Sequence, residues 1–151
     1  MVQQPAVVAR TMETEVKDFL RNQRVGCLAV ALEDGTPHTS AVHFSCDAEC
    51  QRLFFQVGKG SRKFNAVNER GKAKASFTIG FSEKEWKTLQ IDGDLRLLRV
   101  DEDEQFQKIH YLKNPEAKQY RGEDAAYLVF EPFWWRFSDF SVGDPPRIIG
   151  S

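Results

Sequence analysis

The sequence lacks a dominant charge. Its 21 Lys and Arg face 22 Asp and Glu, leaving a formal net charge of -1. Such a balance supplies no overall pull toward nucleic acid or an anionic membrane, so neither partner is expected. A local basic patch can still hold one phosphate. Long apolar runs are also missing, and none approaches the ~18 residues of a membrane span. The opening Met-Val-Gln-Gln-Pro has no basic or apolar region of the kind a secretory signal needs, and none is expected. Cysteine is scarce and odd in number: Cys27, Cys46 and Cys50, with no evident pairing scheme. That usage suits a reducing compartment, and a cytoplasmic location is the expectation. There is no internal repeat, low-complexity tract or linker. No Ser-His-Asp arrangement and no paired-carboxylate signature stands out. Any chemistry then has to come from a bound cofactor, which the protein positions and tunes.

What is present reads as one folded domain. Residues 1–151 are a natural domain length, with residues 1–10 and 143–151 as loose tails. A chain of this size hides roughly 70% of its unfolded surface, enough for a core without disulfide or metal staples. Apolar residues make up 41% and charged residues 28%, near globular averages.

The pattern along the chain is mostly that of strands. Val16, Phe19 and Leu20 fall at helical spacing within residues 12–23, with Thr11 as the N-cap. The apolar run 25–32 has strand length, and Asp34-Gly35 is a hairpin turn signal leading to a partner strand at 38–45. A second turn follows at 46–49. Residues 52–57 form an aromatic-rich strand. A short helix from Ser61 to Asn68 follows, with Phe64 and Val67 inward and Gly71 as its terminator. Residues 72–79 alternate polar and apolar, as a strand with one wet face does. Residues 88–100 make a long strand, bent at Gly93. The acidic run 101–104 opens a helix to about Leu112, and 113–124 reads as a polar loop. Residues 125–131 and 133–140 give two closing strands divided by Pro132. The helices are too few to alternate with the strands. The fold class is therefore all-β with a few short helices, a barrel or sandwich of six or seven mainly antiparallel strands.

The most informative stretch is Gly58-Lys59-Gly60-Ser61-Arg62-Lys63. It follows a strand and opens a helix, whose free N–H groups and dipole attract a phosphate. Arg62 offers a two-pronged grip on phosphate oxygens and Lys63 a point charge. The alternative is a solvated basic turn in which Ser61 is only a helix cap. The spacing excludes a Walker loop, because neither the four-residue gap between glycines nor the Gly-Lys-Ser/Thr ending is there.

The run Leu53 to Lys63, continued by Asn65-Ala-Val-Asn68, resembles the pyridoxamine 5′-phosphate oxidase-like FMN-binding split-barrel family. The hairpin through Asp34-Gly35 to Pro37–Val42 and the stretch Leu89–Gly93 fit the same family. The resemblance covers residues 13–100. It implies a split β-barrel working as a homodimer, with FMN enclosed between subunits and a small-molecule redox substrate. By position, Arg62 and Lys63 match the phosphate-gripping pair and Ser61 supports the loop. Phe55 and Gln56 match strand positions near the phosphate and ring. Thr39, Ser40, Ala41 and Val42 match the strand lying along the isoalloxazine ring. Lys87-Thr88 stands where the family has Arg-Gln, and Thr88 is counted among the cofactor contacts. The oxidases proper begin and end the ring-side strand with Arg and Lys, where this chain has Thr39 and Phe44. Their C-terminal Arg-Leu-x-Pro ending, which helps bind the pyridoxal substrate, is absent. The scaffold and the phosphate grip carry over better than the substrate chemistry. An FMN-dependent oxidoreductase is the first expectation. A non-catalytic flavin-binding or sensing module is the alternative, as is a relative holding deazaflavin or haem.

Other residues invite duller readings. His43, Cys46 and Cys50 lie close together, but the spacing is wrong for a zinc hook and a fourth ligand is not evident. No metal is expected, and His43 on the ring-side strand is read as a flavin or substrate contact. His38, His43 and His110 are the only histidines available to a haem. His110 reads as a surface or packing residue. Phe133, Trp135 and Phe137 share one strand face, read as core. Trp134 and Arg136 share the other, from which one of them reaches a partner's flavin site in the sharper reading.

Overall fold

The amphipathic pattern of residues 72–79 survives folding unchanged: the strand Lys72–Ile79 buries alternate residues throughout. This computed structural model describes residues 9–150; residues 1–8 of the expected N-terminal tail lie outside the described residues. In chain order the elements are α1 (Thr14–Asn22), β1 (Val25–Ala31), β2 (Pro37–His43), β3 (Ser45–Cys46) and β4 (Leu53–Gly58). Then come α2 (Arg62–Arg70), β5 (Lys72–Ile79), β6 (Lys87–Leu97), α3 (Asp103–Lys113), β7 (Ala125–Asp139) and β8 (Arg147–Gly150). Short 3-10 turns at Val100–Glu102 and Pro115–Tyr120 flank α3.

The strands form one antiparallel sheet in the order β2-β1-β5-β6-β7-β4-β3, with β8 added on β7. The sheet curls until β2 approaches β4, yet the two exchange no ladder pairing. The result is a barrel open along one seam, as a split barrel requires. Its interior is packed by the rings of Phe44, Phe55, Phe77 and Phe130. Phe44 and Phe55 meet Phe77 edge-on at 4.9 and 5.4 Å between centroids, an arrangement favoured by the ring quadrupole. On the other side of β4, Phe54 packs with Phe106, Tyr111 and Val129 beneath α3. The aromatic run of β4 thus serves two apolar layers.

Several boundaries differ from the sequence reading. Residues 125–139 form one strand rather than two. Pro132 lacks an N–H, but it stands opposite Gly93, where the register shifts between Asp92 and Gly93. The missing donor falls on an irregularity, so pairing resumes beyond it. Gly93 is required there, because a Cβ would lie 2.4 Å from the Glu131 carbonyl oxygen. Residues 147–150, read as tail, pair with 136–139 as β8. The first helix is capped at Glu13, not Thr11. Ser61 does cap α2, its hydroxyl accepting from the Phe64 N–H at 3.3 Å, and Gly71 ends that helix at φ 78°. Among the described residues, no helix is long and apolar enough to cross a membrane.

Candidate functional site

The open seam holds a groove of about 680 Å3. That volume lies within the range of small-molecule and cofactor sites. One wall is β2, through Ala41, Val42 and His43; the facing wall is β4, through Gln56, Val57 and Gly58. Lys63 enters from the first turn of α2, and His110 and Asn114 from α3 and its C-cap. The turn 115–120 and Asp124 complete the lining.

Lys63 is the electrostatic centre of this groove. Its side chain is partly buried, and burial pulls its ammonium below the ordinary lysine range. Among the described residues it has no acid or hydrogen-bond partner. Of the carboxylates lining the groove, Glu116 is paired with Arg24 at 2.9 Å. The first turn of a helix leaves N–H groups without intrahelical acceptors. In α2, Ser61 N–H bonds the Gly58 carbonyl at 3.1 Å and Phe64 N–H bonds the Ser61 hydroxyl, leaving those of Arg62 and Lys63. Ser61 also donates its hydroxyl to the Gly58 carbonyl at 2.7 Å, which fixes the turn. A half-desolvated cation and two free N–H groups are groups of the kind that attract an anion.

Arg62 is placed differently. Successive helical positions are about 100° apart, and Arg62 lines a separate hollow of about 300 Å3 with Glu33, Asp34, Asn65 and Glu69. Asp34 lies below the usual carboxylate range, chiefly through the Thr36 N–H and to a lesser degree through Arg62.

Of the other expected residues, Ala41, Val42 and Gln56 stand with Lys63 in the groove. Gln56 is held by protein at both ends of its amide: it donates to the Ala117 carbonyl at 2.9 Å and accepts from the Tyr111 hydroxyl at 2.6 Å. It holds the turn 115–120 against β4. Thr39 and Ser40 continue β2 beyond the groove lining. The Ser40 hydroxyl is buried with no partner. Phe55 has its ring wholly in the barrel core. Thr88 pairs with Ser138 on β6 and β7, outside the groove.

The lining from 110 to 125 was not anticipated as site. Asn114 is buried, donates to the Phe44 carbonyl at 3.1 Å and leaves its own amide oxygen unpaired. His110 is buried, bonded through Nδ1 to the Ser45 hydroxyl at 2.8 Å and stacked on Phe106. Burial holds its imidazole down to about 4, so it is neutral at physiological pH. A polar stretch following an acidic-capped helix gives no periodic signal that would mark it as a groove wall. Asn114-Pro115 is the one local cue, since proline stops a helix.

Among the described residues, no group of His, Cys, Asp and Glu is arranged to hold a metal ion. Comparison with protein families gives a match to pyridoxamine 5′-phosphate oxidase over residues 12–139. No curated protein matches the chain in sequence. Solved structures share the fold at low identity. A haem-binding protein from Mycobacterium smegmatis superposes with a TM-score of 0.72 at 16% identity, covering 99% of this chain and 59% of that one. A FAD-binding protein from Mesorhizobium loti gives 0.63 at 15% identity, covering 85% and 96%. An FMN-binding protein from Nostoc punctiforme, described as related to pyridoxamine 5′-phosphate oxidase, gives 0.57 at 16% identity, covering 83% and 78%.

Proposed function

The chain belongs to the pyridoxamine 5′-phosphate oxidase family, and from that premise we propose that it binds FMN in the seam groove and works as a flavin-dependent oxidoreductase in a homodimer. The observation that carries this reading is Lys63: a half-buried cation without an acid partner, beside the free N–H groups of a helix start. That arrangement fits a phosphate. The unpaired Ser40 hydroxyl and Asn114 amide oxygen are further polar atoms suited to a polar ligand.

In this reading Lys63 and the α2 amides hold the phosphate, and Ser61 keeps the turn in shape. Arg62 adds charge from the next position on the helix. Thr39, Ser40, Ala41 and Val42 offer the β2 edge to the ring. Gln56 positions the 115–120 turn, and Phe55 anchors β4 behind it. Thr88, remote from this groove, belongs to the surface a second subunit would bring. FMN, when bound, accepts a hydride or electrons from a small donor and passes them on. The substrate is a small redox-active molecule rather than pyridoxamine phosphate, given Thr39 and Phe44 at the family's Arg and Lys positions.

Titration of FMN fluorescence tests the site. Lys63→Ala is expected to weaken FMN roughly ten- to hundredfold, the loss of one hydrogen bond to a charged group at about 1.5–3 kcal/mol. Riboflavin, which lacks the phosphate, should bind both proteins alike. Unchanged FMN affinity in the variant rejects the phosphate site. Turnover with a reduced nicotinamide separates an enzyme from a flavin store or sensor. An absorption spectrum of the purified protein separates flavin from deazaflavin and haem.

A further inference from the structure

Away from the groove lining, β3 leads into a tight loop that returns to β4. Cys46 ends β3 and Cys50 lies within the loop, with their sulfurs 3.2 Å apart. The loop is fixed by other bonds. Asp47 N–H donates to the Arg52 carbonyl at 3.1 Å, and the Asp47 carboxylate accepts from Gln51 N–H at 2.8 Å and Arg52 N–H at 3.2 Å. From α1, Arg21 donates to the Ala48 carbonyl and Lys17 pairs with Glu49 at 3.2 Å. The two thiols are thus held together by their scaffold. A disulfide requires closing to about 2.0 Å between sulfurs, roughly an ångström of side-chain adjustment.

The surroundings distinguish the two sulfurs. Cys46 is pushed down from the ordinary thiol value by the Cys50 hydrogen bond first, then by the charges of Lys113 and Arg21, against burial and Asp47. Cys50 is pushed strongly up by its bond to Cys46 and by burial. Lys113, at the end of α3, has a buried ammonium with no hydrogen-bond partner, 3.7 Å over the Phe44 ring centroid. Burial lowers it to about 8. A cation so placed favours an anion at Cys46, and low-pKa thiols are the reactive ones. Cys46 is the partly exposed thiol of the pair, open to a small oxidant, and Cys50 is the buried one.

We propose that Cys46 and Cys50 are a reversible dithiol–disulfide pair oxidised by hydroperoxides, with Cys46 attacking and Cys50 resolving. The Cys46 thiolate forms an S–O bond to the peroxide while the O–O bond breaks. The leaving oxygen takes a proton as water or an alcohol. Cys46 is then a sulfenic acid, oxidised by two electrons as the peroxide is reduced. The Cys50 sulfur next attacks the Cys46 sulfur. The S–S bond forms, the S–O bond breaks, and hydroxide leaves with the Cys50 proton as water. An external dithiol reverses the change. None of this depends on flavin binding.

The test uses the full chain, reduced and desalted, then exposed to hydrogen peroxide. Remaining thiols are labelled with maleimide under denaturing conditions and counted by intact mass. The expected product has lost two hydrogens, keeps only Cys27 labelled, and regains all labels after dithiothreitol. Cys50→Ser should stop at a Cys46 sulfenic acid trapped by dimedone. Lys113→Met should slow oxidation several-fold and reach the same disulfide. Three labelled thiols after peroxide, oxidation centred on Cys27, or a disulfide only between two chains would each overturn the proposal. The wild-type result decides it even if a variant fails to fold.

Discussion

At the scale of single residues, His110 carries a pH dependence whose sign follows from its burial. Its folded value is about 4, lowered by burial first and then by the charges of Lys113 and His43, against an ordinary histidine value of 6.5. Between those values the unfolded chain binds the extra proton and the folded one does not. Its contribution to stability is therefore complete above about pH 6.5 and is lost as pH drops toward 4, by about 3 kcal/mol. His110→Gln should flatten that slope, read as urea midpoints at pH 7 and pH 4.5. An unchanged slope would place the titrating group elsewhere. Glu102 acts in a lower window: Arg96 holds it down to about 2, so its contribution is lost only below the usual carboxylate value. The sequence read His110 as a surface or packing residue; it is buried and stacked on Phe106, and it also lines the groove. The sequence did not separate Lys63 from Arg62, because a Ser-Arg-Lys motif reads as one basic unit until a helix turns its members apart.

At the scale of elements, Glu102 joins pieces distant in sequence. Its carboxylate accepts from Arg96 of β6 at 2.7 and 2.9 Å and from Arg52 at the entry to β4 at 2.9 Å. It also accepts from the Arg99 N–H at 3.0 Å, capping the turn that opens α3. Glu102→Ala removes the carboxylate that the two guanidinium groups share, leaving Arg52 with Asp47 at 3.1 Å and Arg96 with Glu131 at 2.8 Å. A loss of about 3 kcal/mol is expected, the low end for breaking a buried pair because Arg52 keeps some contact with water. Denaturant unfolding measures it, and a change under 1 kcal/mol would show the cluster to be ornamental. Such a node is invisible in sequence, where Glu102 is one of a run of acids. Elements with local signals fared better. The alternation of β5 and the Ser61 and Gly71 ends of α2 were legible because cap and period act within a few residues. The unbroken β7 and the added β8 were not, since each depends on a partner strand far along the chain.

At the scale of the whole molecule, a second copy is the expected complement. Trp86 and Phe140 lie side by side, with the Phe140 N–H on the Trp86 carbonyl at 2.8 Å, and both are about half exposed. An adjoining pair of exposed aromatics is a candidate part of an association surface. Light scattering is expected to give twice the 17.3 kDa chain mass; a monomer at micromolar concentration would remove the homodimer from the proposed function. The barrel itself was legible from strand count and turn spacing, but the location of its opening was not, because no local pattern says which two strands fail to meet.

That opening has a mechanical consequence. In a closed barrel, strand number and shear together dictate the diameter. Here β2 and β4 share no ladder, so the circumference is not quantised by register. The seam can widen or narrow without breaking a β2–β4 backbone hydrogen bond, opposed by side-chain packing, by the Asn114 amide on the Phe44 carbonyl and by β3, which ties the end of β2 to β4. The girth of this barrel is an elastic variable, set by whatever fills the gap.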